Sequence, residues 1–284
     1  MRQPCYFIAH GSPMWLVKPH EPAPVYLKTV LGPQILNSSN KPSTLLIISA
    51  HWETEPALRV TTAPKHNLLY DYYNFPSNFY DIKYPARGDP KVAQETIQLL
   101  KAAGFQVAEE KERGLDHGVF TPLIYMFPNQ ELPIVQLSLP ITNNAADYYR
   151  MGEALQPLRE KGVMIAGAGF LLHNLRLMMS KMQQTSMGRT VSETKEPWAE
   201  EFVTASERAV LEFRGQSRKE EVLKLVKLPS YRTAHPTPEH FAPLIVAAGA
   251  AGEDVGHLIH SRWEAGVVSE DTFRFGDLNE EKEL

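Results

Sequence analysis

Cysteine is almost missing: Cys5 stands alone in 284 residues. A lone thiol excludes an internal disulfide framework and disfavours a thiolate-rich metal site. Its place beside Tyr6-Phe7-Ile8 makes it an inert residue of a buried strand. Long apolar runs are missing too, since no stretch approaches the ~20 residues needed to cross a bilayer. The first residues lack the basic region and apolar stretch of a signal peptide, and Lys282-Glu283-Leu284 matches no address motif. The expected location is the cytoplasm. There is no excess of positive charge either. A net charge of −4 supplies no basic field to hold nucleic acid or an anionic membrane. Repeats and low-complexity tracts are absent. The partner left by these exclusions is a small molecule.

What is present is ordinary globular composition, 43% hydrophobic and 22% charged, in a chain long enough to bury a substantial core. Short apolar runs bounded by Gly, Pro or polar residues, at Cys5–Ala9, Thr44–Ser49, Ile134–Leu139 and Val163–Ala166, are too short for helices and predict buried strands. Helical stretches lie between and beyond them, at Pro90–Ala103, Ala146–Lys161, Pro197–Leu211 and His240–Ala251. The first of these opens on Asp89-Pro90, an N-cap followed by proline at the first helical position. Strand alternating with helix predicts an α/β fold, a single domain with a largely parallel or mixed central sheet and helices on both faces. The whole of 1–284 reads as one catalytic domain with its core at about 5–275. Residues 178–195, rich in Met, Gln, Ser, Thr and Lys, are expected to form a mobile loop. Oligomeric state is not legible, because interface stripes and core stripes share one pattern.

The ten histidines carry the chemistry. His10 follows Phe7-Ile8-Ala9 and precedes Gly11-Ser12-Pro13, where a strand breaks into a turn. His51 follows Leu45 through Ala50 in the same way, and His173 follows the small-residue run from Ile165. His117 sits in Leu115-Asp116-His117-Gly118 and His240 at the entry to an apolar helix. One histidine at a strand end is more often structural than a ligand. Several at successive strand ends converge, because the carboxyl ends of parallel strands share one edge of the sheet. Neutral imidazole suits zinc and ferrous iron. The spacing matches no zinc-finger or His-Glu-x-x-His pattern. His20 and His66 are expected in solvent, His257 and His260 in packing roles, and His235 in a loop that could reach the pocket wall.

Taken in order, His10-Gly11-Ser12-Pro13-Met14, Ser49-Ala50-His51-Trp52, Asp116-His117-Gly118, His173-Asn174-Leu175 and Pro238-Glu239-His240-Phe241 resemble the motifs of class III extradiol ring-cleavage dioxygenases. The DOPA 4,5-dioxygenase subfamily is the nearest in pattern. Phe75-Pro76, Tyr84 to Pro90 and Gly249 to Glu253 extend the match over nearly the whole chain. Arg87 and the bulky Phe170-Leu171-Leu172 depart from that pattern, which bears on substrate identity more than on the reaction. The resemblance implies one non-haem metal held by His10, His51 and His240. It also implies His173 as acid–base residue and His117 in the pocket, hydrogen-bonded to substrate or oxygen. The implied reaction cleaves a catechol with O2 to a muconic semialdehyde. Fe(2+) is the expected working metal because zinc is redox-inert, although three neutral ligands also admit Zn(2+). Two other functions fit the same residues, a zinc-dependent hydrolase and a non-catalytic binding relative.

Overall fold

Successive residues of the central strands face two different cores, the period-two pattern of a sheet covered on both sides. The computed structural model describes residues 2–142, 144–187 and 194–278. Its strands are β1 (Cys5–Ala9), β2 (Thr44–Thr54), β3 (Leu58–Thr61), β4 (Val107–Glu110), β5 (Ile134–Pro140), β6 (Val163–Gly169), β7 (Leu172–His173), β8 (Gly256–His260), β9 (Trp263–Glu264), β10 (Val268–Ser269) and β11 (Thr272–Phe275). Its α-helices are α1 (Pro22–Tyr26), α2 (Gly32–Leu36), α3 (Pro90–Ala102), α4 (His117–Met126), α5 (Ala145–Arg159), α6 (Leu175–Ser186), α7 (Pro197–Leu211), α8 (Gly215–Leu225), α9 (Tyr231–Ala234) and α10 (Ala242–Ala251). Cys5, Phe7, Leu46, Ile48 and Ile165 pack with α3, α5, α7, α8 and α10. Tyr6, Ile8, Leu45, Ile47, Met164 and Ala166 pack with α1, α2 and α4.

The main sheet runs β4-β3-β5-β2-β6-β1-β11-β8. Its centre is parallel, with β2 beside β5 and β6, and β6 beside β1. Antiparallel pairs join β11 to β1 and to β8. A second sheet, β7-β10-β9, is small and antiparallel. The fold is the expected α/β class with a mixed sheet. Because β1, β2 and β6 are parallel neighbours, their carboxyl ends lie on one edge, where sites form in such folds.

Several boundaries differ from expectation, each for a local reason. Strand β2 does not stop at Ser49 but continues to Thr54, with its register against β5 shifting between Ile48 and Glu53. Such an irregularity re-aims side chains beside a site, and His51 lies inside it. The stretch from residue 178 is helical to Ser186, not a loop. Asn174 caps α6 by accepting a hydrogen bond from the Leu177 N–H at 2.9 Å, and Lys181 is buried against Glu196 at 2.6 Å. Leu175, Met178, Met179 and Met182 follow helical spacing that the polar content obscures. The rest of the expected loop falls mostly on 188–193, outside the described residues. Cys5 is buried as expected, and burial pushes its thiol up.

Candidate metal centre and active site

His10 follows β1 directly, and its backbone N–H donates to Gly169 O at 3.3 Å, across to the end of β6. His240 is held at the same end, where the Phe170 N–H donates to His240 O at 2.9 Å. A Cβ on Gly169 would meet that carbonyl at 2.3 Å, so only glycine lets the entry of α10 close on β6. His51 projects from the irregular part of β2. Its backbone N–H donates to Ser49 Oγ at 3.1 Å, Ser49 Oγ donates to the buried Asp116 carboxylate at 2.7 Å, and Arg113 binds both Asp116 and His51 O. Gly118 completes this cradle, since a Cβ there would stand 2.8 Å from the His51 ring.

These three segments bring His10, His51 and His240 together, with a possible ligand atom on each lying within 4.8 Å of the other two. The Nε2 atoms of His10 and His51 are 3.3 Å apart. The Nδ1 atom of each ring faces oxygen: Gly11 O at 2.7 Å for His10, Asp71 Oδ2 at 3.4 Å for His51 and Glu239 Oε1 at 2.9 Å for His240. A carbonyl or ionised carboxylate only accepts, so Nδ1 carries the proton in His10 and His240, the charge of Asp71 favours the same tautomer in His51, and each neutral ring keeps a bare lone pair on Nε2. Burial holds the rings neutral. It drives His10 and His240 well below the ordinary histidine range and His51 down to about 4, with neighbouring histidines adding to the effect. Two lone pairs facing each other at 3.3 Å call for a cation between them. Ligands around a tetrahedral ion with ~2.1 Å bonds stand ~3.4 Å apart, so the donor set fits a metal. Hydrogen bonds from imidazole Nδ1 to carboxylate or carbonyl are the usual outer support of such ligands.

His173, on β7, stacks on the His240 ring with centroids 3.6 Å apart and planes at 13°. Burial, then the charge of His235, lowers it to about 3. His117 opens α4, with its ring 4.0 Å from that of His51 and 5.6 Å from that of His10. All five candidate histidines therefore gather at one edge of the sheet. His51, Asp71 and His117 form a second close group, in which His117 donates to Asp71 through its backbone N–H and its Nδ1–H while His51 Nδ1 faces the carboxylate at 3.4 Å.

The other histidines divide differently than expected. His66 is buried and its Nε2 lies 3.0 Å from Ile134 O, whereas His20 is exposed. His235 is not in the pocket wall. It is fully buried among Phe202, Tyr231 and Phe241, with Nε2 2.9 Å from Leu171 O. His260 stacks on Tyr26, and His257 pairs with Asp277. Asp71 was missed because Tyr70-Asp71-Tyr72 has no pattern that marks it, and Glu239 gave no sign of its role beyond its place beside His240. Phe170 meets the His10 ring near perpendicular, with centroids 4.8 Å apart, and borders a cleft of 280 Å³ also lined by Trp15, Met178, Met182, Arg262 and Glu270. Arg262 binds Glu21 at 2.7 Å and the buried Glu270 at 3.2 Å, yet burial still raises Glu270 to about 7.

Residues 4–276 match the family described as the catalytic LigB subunit of aromatic ring-opening dioxygenase. The chain belongs to the LigB family. This LigB-family chain is also 37% identical over 274 residues to a protein of Beta vulgaris named 4,5-DOPA dioxygenase extradiol, covering 95% of each chain. A Portulaca grandiflora protein of the same name is 34% identical over 276 residues, covering 96% of each. A crystal structure of an uncharacterized protein from Escherichia coli K12 superposes with a TM-score of 0.75 at 29% identity, over 97% of this chain and 100% of that one. The enzyme class is that of an extradiol, aromatic ring-opening dioxygenase, which acts on a small aromatic molecule and dioxygen. Among the described residues, no helix is long and apolar enough to cross a membrane.

Proposed function

We propose that the enzyme cleaves the ring of a catechol, of the DOPA type or related, with dioxygen, and that His10, His51 and His240 hold one ferrous ion for the purpose. The observation that carries this is the trio of imidazoles whose Nε2 sides converge, with Nδ1 of His10 and His240 hydrogen-bonded to Gly11 O and Glu239 and Nδ1 of His51 facing the Asp71 carboxylate at 3.4 Å. Ferrous iron, when bound, lets triplet dioxygen react with a singlet catechol and attracts the catecholate oxygens. Three neutral ligands leave that ion with its full charge, which suits an anionic substrate. Zinc would fit the same nitrogens but is redox-inert.

The remaining work falls to side chains. His173 is neutral, stacked beside His240, and has a lone pair to take a catechol hydroxyl proton as base, later returned as acid. Approach of a catecholate raises its affinity for that proton, because an anion nearby favours imidazolium. The Nδ1 proton of His117 is given to Asp71 at 2.9 Å, so its free nitrogen accepts in the neutral ring. It therefore receives a hydrogen bond from a substrate hydroxyl and donates to oxygen only after gaining a proton. The cleft beside Phe170 offers room for the ring's substituent.

The test is anaerobic loading with ferrous ion, addition of a catechol panel that includes DOPA, and admission of air in an oxygen electrode. Oxygen uptake with a yellow product supports the proposal. Absence of uptake with every catechol, alongside ester hydrolysis by the zinc-loaded protein, would overturn it in favour of a hydrolase.

A further inference from the structure

Asp71 joins two histidines with different tasks. Its Oδ1 accepts the His117 backbone N–H at 2.8 Å and the His117 Nδ1–H at 2.9 Å, while its Oδ2 faces His51 Nδ1 at 3.4 Å. The carboxylate is half-buried, and the two rings it serves lie 4.0 Å apart. The carboxylate accepts two hydrogen bonds from His117 and presents its other oxygen to His51 as a charge contact. One side chain thus fixes the tautomer of His117 through a hydrogen bond and, by its charge, favours a proton on the Nδ1 of His51, whose Nε2 faces His10.

We propose that Asp71 is a positioning residue that couples His51 to His117, so that metal affinity depends on a histidine that does not touch the metal. The proposal rests on the assignment of His51 as a ligand. A carboxylate shared between two donors gives less to each than it would give to one. Removing the His117 ring frees Asp71 to bond more fully to His51, which strengthens its Nε2 as a donor to metal. The amide of Asp71→Asn has one accepting oxygen and one donating NH2 group. Facing His51, the NH2 group would force the ring proton onto Nε2 and block the ligand nitrogen. Facing the other way, it would abandon His117.

Zinc is a suitable probe because its binding is read without turnover. Chelator competition on the full chain should show Asp71→Asn weakening zinc by about 10- to 100-fold, the usual loss for an outer-shell partner. His117→Gln should tighten zinc by about threefold or more, and that gain should vanish in the Asp71→Asn background, the signature of coupled neighbours. The visible band of the cobalt(II)-loaded protein should shift in both single variants, which a general loss of stability would not produce. Zinc affinity of Asp71→Asn within twofold of wild type, or the same His117→Gln effect with either residue at 71, would overturn the coupling. If His51→Ala bound zinc as tightly as wild type, the ligand assignment would be at fault instead.

Discussion

Replacing Gly169 by alanine displaces His240, one of the three proposed metal ligands, without touching its side chain. The added Cβ would lie 2.3 Å from His240 O, where ordinary contact begins at 3.4 Å. The backbone at His240 must therefore retreat by 3.4 − 2.3 = 1.1 Å, or the Phe170 N–H bond to His240 O at 2.9 Å must break. Overpacking of this kind costs about 1–3 kcal/mol, so the fold should survive. The site should not, because a misplacement of ~1 Å costs on the order of 100-fold in rate. The expected outcome is a protein that keeps the wild-type circular dichroism and melts about 2–10 °C lower, with kcat/KM reduced about 100-fold and weaker ferrous binding by chelator competition. Wild-type activity and metal affinity in Gly169→Ala would refute the view that the β6–α10 contact places His240.

Three other outcomes are expected. His173→Ala should retain one metal ion but lose turnover, whereas His10→Ala should lose the ion, as metal analysis beside single-turnover kinetics would show. In metal-free protein, His51 and His235 are lowered to about 4 and His173 to about 3 from an ordinary value of 6.5, so the unfolded chain takes up protons first. Stability is then fully present above pH 6.5 and is lost as pH falls toward those values, at up to about 1.4 kcal/mol per pH unit for each histidine; a higher Tm at pH 5 than at pH 8 would contradict this. Arg262→Met should leave the buried Glu270 without its cation and hold it protonated above its present value of about 7, so urea unfolding should show a larger loss of stability at pH 8 than at pH 6; an equal loss at both would contradict this.

The α/β class was legible because burial on both faces makes the strands continuous apolar runs, as in Thr44–Ser49 and Val163–Ala166. Helix α7 was legible to the residue, since Pro197 opens it and its apolar stripe is regular. Helix α6 was hidden because its methionines face the cleft and solvent while a buried lysine, Lys181, supplies its inner contact. Four of the five candidate histidines stand at chain breaks that a reader can find: His10, His117, His173 and His240. His51 looked similar, but it lies within a strand whose register slips, and a slip leaves no mark in composition. The supporting carboxylates were not legible. Asp71 reaches His51 and His117 only after the chain folds back, and Asp116 serves His51 through Ser49. His66 misled for the opposite reason, because its proline-flanked polar segment looks exposed, and the proline-rich loop of His235 did not reveal that its ring is buried away from the pocket; in each case a carbonyl waits to bond a ring nitrogen.

Mass spectrometry of the product formed under isotopically labelled dioxygen reaches the centre of the account directly. Ferrous-loaded wild type given a catechol should place both atoms of one O2 in a ring-opened product, and His10→Ala, His51→Ala and His240→Ala should each make none. An unlabelled product, or ring opening that persists without those imidazoles, would contradict it.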